Sequence, residues 1–161
     1  MAKVGQGFDV HKLVLGKPLI IGGIKIDYEY GLEGHSDADV ALHALTDALL
    51  GAVGEDDIGH FFPPSDEQWR GVASDQFVSH AVKLIDSKGG RIVNVDITMM
   101  CEAPKVGPYR LLMRERVATI LKISPSRVNV KATTTEKLGF TGRGEGIAAQ
   151  AIANVEIKSN D

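Results

Sequence analysis

The chain has 161 residues, 43% of them apolar and 24% charged, which suits one globular domain with its own core and excludes a fibrous or low-complexity chain. Its 18 Lys and Arg stand against 21 Asp and Glu, a formal net charge of -3, which argues against a nucleic-acid partner because that surface needs a basic stripe to displace counterions. A single cysteine, Cys101, excludes an intrachain disulfide, and neither a signal-peptide-like start nor a membrane-length apolar run is visible, so the expected setting is cytoplasmic with no membrane partner.

The first forty residues read as extended. Within them "GQGFDVHKL" (5–13) sets Asp9 and His11 two apart, on one face of a strand. "LIIGGIKI" (19–26) is β-branched and apolar around a Gly22–Gly23 turn or bulge. The period then changes. Val40, Leu42, Leu45, Leu49 and Val53 recur at helical spacing, with Ser36 as the expected N-cap, Asp37 and Asp39 in the first turn, and Gly54 as the stop. Residues 54–71 form a Gly-, Pro- and Asp-rich linker anchored by Trp69, of a length that tends to be functional or mobile.

A second helix is expected over 74–88, with Phe77, Ala81, Val82, Leu84 and Ile85 on its apolar side and Gly89–Gly90 ending it. "RIVNVDITMM" (91–100) reads as a half-polar strand. Val93, Val95, Ile97 and Met99 follow Ile92 on one face, and Asn94, Asp96 and Thr98 take the other. "CEAPKVGP" breaks it, a third helix runs from 108 to 122 with Pro108 at its start, and 128–136 returns to strand. In 146–158, Ile147, Ala149, Ala151, Ala153, Val155 and Ile157 alternate with Gln150, Asn154, Glu156 and Lys158, which favours strand over the helix that alanine suggests. Only Lys158–Asp161 reads as disordered. The expected fold class is α/β (α+β): one domain over 1–161, with a mixed sheet of four or five strands and three helices.

His43 lies mid-helix with Asp39 and Asp47 at i−4 and i+4. Carboxylates one turn away share its face and hold an imidazole in one tautomer, as a ligating histidine needs. Asp9, His11 and His43 would make an O,N,N set that suits zinc and leaves one tetrahedral position open for substrate. A helix histidine that merely caps the core fits the spacing too. His35 and Ser36 stand just before the same helix, either as phosphate donors beside its N-terminal N–H groups or as an ordinary cap. "KATTTEKLGFTGRGEG" (131–146) sets hydroxyls and glycines near Lys and Arg. It is a phosphate cradle, with Glu136 able to hold Mg²⁺ or Mn²⁺, or else a polar turn between strands. "CEAPK" (101–105) is a loop whose free backbone groups could read a base edge. His60 and His80 read as ordinary.

In order along the chain, "GFDVHKL", "HSDADVALHALTDALLGAVGEDDIGHFFPPSD", "NVDITMMCEAPK" and "VNVKATTTEKLGFTGRGEGIAAQA" resemble the 2-C-methyl-D-erythritol 2,4-cyclodiphosphate synthase family of the non-mevalonate isoprenoid pathway. The resemblance spans nearly the whole chain. It implies a phosphorus-oxygen lyase that cyclises 4-diphosphocytidyl-2-C-methyl-D-erythritol 2-phosphate: the 2-phosphate attacks the β-phosphorus and CMP leaves. It also implies a homotrimer, with helices on one face of each sheet, the other face toward a central axis, and active sites between subunits.

By the same resemblance, Asp9, His11 and His43 hold Zn²⁺, and Glu136 holds Mg²⁺ or Mn²⁺ across the diphosphate. His35 and Thr134 stabilise the transition state. Val10 and Ser36 join the zinc-side residues that meet substrate. Asp57, Ile58 and Gly59, with Phe62, Pro63, Pro64, Ser65 and Asp66, line the methylerythritol end. Cys101, Glu102, Ala103, Pro104, Lys105, Val106 and Gly107 receive the cytidine with Ala132, Thr133 and Thr134, mostly through backbone, and Thr135 also meets substrate. Phe140 and Arg143 match positions that in some members bind an isoprenoid diphosphate in the trimer's central cavity. Gly107 and the Cys101–Glu102 pair depart from the residues usual there, with little expected consequence if cytosine meets only main chain. Two other readings of the same residues are a zinc phosphohydrolase, in which the ligands activate water, and a trimeric protein that only binds cytidine nucleotides or isoprenoid phosphates around a structural zinc.

Overall fold

A computed structural model describes residues 1–158; of the tail expected to be disordered, residues 159–161 lie outside the described residues. The elements in chain order are β1 (Ala2–Leu15), β2 (Leu19–Ile21), β3 (Ile24–Ile26), β4 (Tyr30–Leu32), α1 (Val40–Ala52), α2 (Ile58–Phe61), α3 (Asp75–Ser87), β5 (Gly90–Met100), α4 (Arg110–Leu121), β6 (Val128–Thr133), α5 (Gly139–Gly142) and β7 (Gly146–Ile157). Five strands form one mixed sheet in the order β4-β1-β7-β5-β6, parallel only between β5 and β6, while β2 and β3 form a separate ribbon. The parallel pair is the one joined through a helix, α4, because a parallel pairing cannot be closed by a short turn.

The expected strand alternation in β7 holds: Ile147, Ala149, Ala151, Ala153 and Val155 are all buried. In β5 the inward set switches from Ile92 to Val95, Ile97 and Met99, because a register irregularity between Ile92 and Asn94 inserts one residue. Strand β6 ends at Thr133, three residues short of the expected 136, because Glu136 and Lys137 turn into the left-handed region (φ 53 and 62). The third helix opens with a 3-10 turn, Gly107–Tyr109, before α4. The 54–71 segment is not a bare linker: it contains α2 and a 3-10 turn at Glu67–Trp69.

The long helices α1, α3 and α4 cover one face of the sheet, and the core lies between them and β1, β7 and β5. The opposite face leaves Val4, Phe8, Val10 and Ile152 exposed. Helix α1 lies unusually close to β1. A Cβ built on Gly5 would sit 1.9 Å from the Ala48 carbonyl oxygen, and one on Gly7 would sit 1.9 Å from that of Ala44. Glycine in the strand and alanine every fourth residue in the helix allow this approach, since any side chain in between would meet backbone.

That contact predicts a contrast. Gly7→Ala should lower unfolding free energy by about 1–3 kcal/mol or more, because the helix backbone cannot yield without leaving its core. Gly51→Ala, inside α1 with no heavy atom nearer than 3.9 Å to the new Cβ, should instead raise it by about 1 kcal/mol, the usual helix gain. Urea unfolding of the two variants checks both signs; equal effects would contradict the packing.

Candidate metal centre and substrate clefts

The odd-numbered side of β1 that carries Gly5 and Gly7 also carries Asp9 and His11. Because α1 presses on the glycines, its first turn brings His43 over the same face. His11 Nε2 lies 3.1 Å from His43 Nδ1, and Asp9 Oδ2 lies 2.7 Å from the former and 3.2 Å from the latter. These three are the group of potential metal ligands found among the described residues. Donors bound to one tetrahedral ion at about 2.0–2.2 Å stand roughly 3.3–3.6 Å apart, so the triad is one face of such a site drawn slightly inward.

The protons of both imidazoles are accounted for elsewhere. His11 Nδ1 donates to the Glu33 carbonyl at 2.9 Å, which leaves Nε2 as a lone pair toward the cluster. His43 Nε2 faces two hydroxyls, Ser36 Oγ at 3.0 Å and Ser74 Oγ at 2.9 Å. The Ser74 hydroxyl donates to Asp37 Oδ1, so it must accept from His43 Nε2–H. The other Asp37 oxygen accepts from Ser74 N at 3.0 Å. His43 Nδ1 is therefore the free lone pair. Asp9 Oδ2 is then buried without a hydrogen-bond donor. Three acceptors around one small space fit a divalent cation, and these residues fit zinc in particular.

Without a cation, a proton must share the space. Burial resists charging of His11, but the hydrogen bond and charge of Asp9 outweigh it and raise its pKa above 6.5. Burial likewise pushes Asp9 up, yet its contacts with His11 and His43 prevail and hold its carboxyl at about 2.

The outer carboxylate is not one of those expected from helix spacing. Asp39, not Ser36, is the N-cap of α1. It accepts from Leu42 N at 3.0 Å, Gly22 N at 2.9 Å and Gly23 N at 2.7 Å, which pins the ribbon turn to the helix. Complete burial pushes its carboxyl up to about 6 against those N–H groups. Asp47 accepts from Ile58 N at 2.8 Å and so holds the 57–59 segment. Asp37, acting through Ser74, does what Asp39 and Asp47 were expected to do. Ser74 stands at the N-cap of α3 but makes no cap hydrogen bond, because its hydroxyl is committed to His43 and Asp37. Helical periodicity could not reveal a partner 31 residues away; a serine at a helix start with no capping bond is visible only in three dimensions.

The remaining expected residues divide among separate hollows. His11, His35, Ser36 and His43 line one cavity with Ile58, Gly59, Phe62 and Pro64, together with Trp69 and Phe77. From the sequence, Trp69 is expected only to anchor the loop and Phe77 only to fill the core; both instead line this cavity. Phe62 packs at a tilt against Phe77 (4.5 Å) and edge-on to Trp69 (4.9 Å), which walls this cavity with apolar surface. Asp57 caps α2 and Asp66 caps the following 3-10 turn, so both carboxylates are engaged with backbone. A second hollow is lined by Cys101, Glu102, Pro104, Lys105, Val106 and Gly107 with Ala132, Thr133 and Thr134. Burial, with the Glu102 charge second, pushes the Cys101 thiol up to about 11, so it is inert. A third takes in Val10, His11 and Phe140, while Arg143 pairs with Glu145 at 2.9 Å on the surface. Thr135 Oγ1 bonds Thr141 Oγ1 at 2.8 Å.

Residues 2–156 match the YgbB family. The chain belongs to the YgbB family. Among its relatives, the bifunctional enzyme IspD/IspF of Erythrobacter litoralis is 62% identical over 156 residues, which is 97% of this chain and 40% of that protein. This chain thus spans about two-fifths of the curated relatives it first matches. It also matches whole chains. A Plasmodium falciparum IspF in complex with CDP superposes with TM-score 0.87 at 35% identity, covering 98% of this chain and 97% of that one. A 2C-methyl-D-erythritol-2,4-cyclodiphosphate synthase in a CDP-bound form gives 0.88 at 33%, covering 96% and 100%. The mixed α/β fold with its sheet and packed helices is that of these family members.

Two outcomes test the site. Ser74→Ala should weaken zinc binding about 10- to 100-fold, the usual loss for an outer hydrogen-bond partner, as read by chelator competition. Because His11 is raised above 6.5, its charged pairing with Asp9 stabilises the zinc-free protein below pH 6.5, and that gain fades as pH rises through the raised value. Zinc must displace that proton. Calorimetry in buffers of different ionisation enthalpy should show proton release near neutral pH, and affinity that climbs with pH and then levels.

Proposed function

We propose that this chain cyclises 4-diphosphocytidyl-2-C-methyl-D-erythritol 2-phosphate to 2-C-methyl-D-erythritol 2,4-cyclodiphosphate with release of CMP. The observation that carries the reading is the Asp9–His11–His43 triad, with both imidazoles held as lone-pair donors beside His35 and Ser36. The CDP complexes of family members support the nucleotide half.

The chemistry follows from charge. The attacking 2-phosphate is already ionised near neutral pH, so no general base is required; the barrier lies in bringing two anions together. Alignment and positive charge lower it, as in phosphoryl transfer generally. Asp9, His11 and His43 would hold a zinc ion and Glu136 a Mg²⁺ or Mn²⁺, and these would supply that charge. His35 and Ser36, which line the cavity beside the triad, donate to phosphate oxygens. Thr134 donates to the diphosphate on the other side. Phe62, Trp69 and Phe77 keep water from the β-phosphorus, so the internal phosphate attacks in its place. The backbone of 101–107 and 132–134 reads the cytosine edge.

In this reading the domain, 1–161, works as a cytoplasmic homotrimer. The exposed Val4, Phe8, Val10 and Ile152 support association through that face of the sheet. Metal-side and cytidine-side residues line different hollows of one chain, which supports active sites completed between neighbouring subunits. Phe140 and Arg143 then border a central cavity as candidates for an isoprenoid diphosphate.

Phosphorus NMR of the reaction tests the proposal. A cyclic diphosphate and CMP are expected, and they should vanish in His43→Ala. A linear phosphate product would instead mark a phosphohydrolase, and turnover surviving in zinc-free His43→Ala would overturn the metal's role.

A further inference from the structure

Glu136 and Lys137 adopt left-handed backbone, φ 53 and 62, with no glycine between them. Such conformations are unfavourable at ordinary residues and persist only where the surroundings impose them. The surroundings here are specific. Cys101 N donates to the Thr133 carbonyl at 3.1 Å, which joins the end of β5 to the end of β6. One residue further on, Glu102 Oε1 accepts from both Thr135 N and Lys137 N, each at 3.2 Å. On the other side, the Thr135 hydroxyl lies 2.7 Å from the Leu138 carbonyl and donates to it. The turn is thus clamped at its two ends by one carboxylate and one hydroxyl, and Glu136 projects from its middle.

We infer that Glu102 is a positioning residue, whose carboxylate holds the 134–137 turn in the shape that presents Thr134 and Glu136 and ties that turn to the 101–107 loop. The inference rests on the proposed reading of Glu136 as the residue that meets a divalent cation on a nucleoside diphosphate. A charged acceptor taking two backbone N–H groups makes stronger bonds than a neutral one. Glu102 also lines the hollow that holds Lys105 and Thr134, so the turn and the 101–107 loop meet at one carboxylate. The side chain at 102, expected to matter little for a site read through main chain, instead sets the geometry of that main chain. Because Glu102 belongs to the loop on the cytidine side and grips the turn on the cation side, a nucleotide seated against one bears on the other.

Four proteins test this: the wild type, Glu102→Ala, Glu102→Gln and Glu136→Ala, each loaded with zinc. Amide hydrogen exchange reads the turn, and Mn²⁺ binding in the presence of CDP, followed by electron paramagnetic resonance, reads its presentation of Glu136. Glu102→Ala is expected to lose protection at Thr135 and Lys137 and to weaken Mn²⁺–CDP binding about 10- to 100-fold, the range typical when a partner of a ligand is removed. Its zinc content should not change, which guards against simple misfolding. Glu102→Gln keeps an acceptor oxygen and should recover most of both losses. Unchanged protection in Glu102→Ala overturns the inference whatever Glu136 does. Mn²⁺–CDP binding that is normal in Glu136→Ala overturns the reading of Glu136 instead, while the exchange data still decide whether Glu102 holds the turn.

Discussion

The close contact of α1 with β1 is the constraint on which the rest depends. Two glycines in the strand leave room for helix backbone at Ala44 and Ala48, where a Cβ would lie 1.9 Å from a carbonyl oxygen. The strand's period of two then carries Asp9 and His11 on the same side, and the helix's first turn carries His43 over them. A side chain at either glycine would push α1 outward and carry His43 away from Asp9 and His11. Placement of the triad is therefore a packing consequence, settled by residues that touch no ligand.

Orientation is a separate matter, settled by hydrogen bonds from outside the helix. A neutral imidazole has one proton, and whatever takes that proton decides which nitrogen is left to coordinate. The Glu33 carbonyl takes it from His11, and the Ser74 hydroxyl, turned by Asp37, takes it from His43. The outcome is a pocket of three acceptors with Asp9 Oδ2 unpartnered, which is costly to leave empty and favourable to fill with a cation. Stability of the local structure and affinity for a divalent ion are in this sense one quantity.

Much of this was legible in the sequence, and the reasons differ by element. β7 could be read through its alanines because Ile147, Ala149, Ala151, Ala153 and Val155 kept strict alternation. α1 could be read because its apolar residues kept helical spacing. Asp9, His11 and His43 could be grouped because chain order and the family resemblance agreed. What could not be read was whatever depends on distant pairing. Asp39 and Asp47 have the right spacing to serve His43, yet each is used by backbone N–H groups from elsewhere, Gly22, Gly23 and Ile58. Ser74 and Asp37, which do serve it, are 37 residues apart. The irregularity in β5 and the early end of β6 likewise arise from pairing partners and from the left-handed turn at Glu136 and Lys137, neither of which leaves a local signal.

The most direct measurement is a crystal structure of the zinc-loaded protein with data collected on both sides of the zinc absorption edge. One strong anomalous peak per chain is expected, bonded at about 2.0–2.2 Å to Asp9 Oδ2, His11 Nε2 and His43 Nδ1, with His43 Nε2 still on Ser74. A peak elsewhere, or a His43 ring turned so that Nδ1 meets the serines, would contradict it.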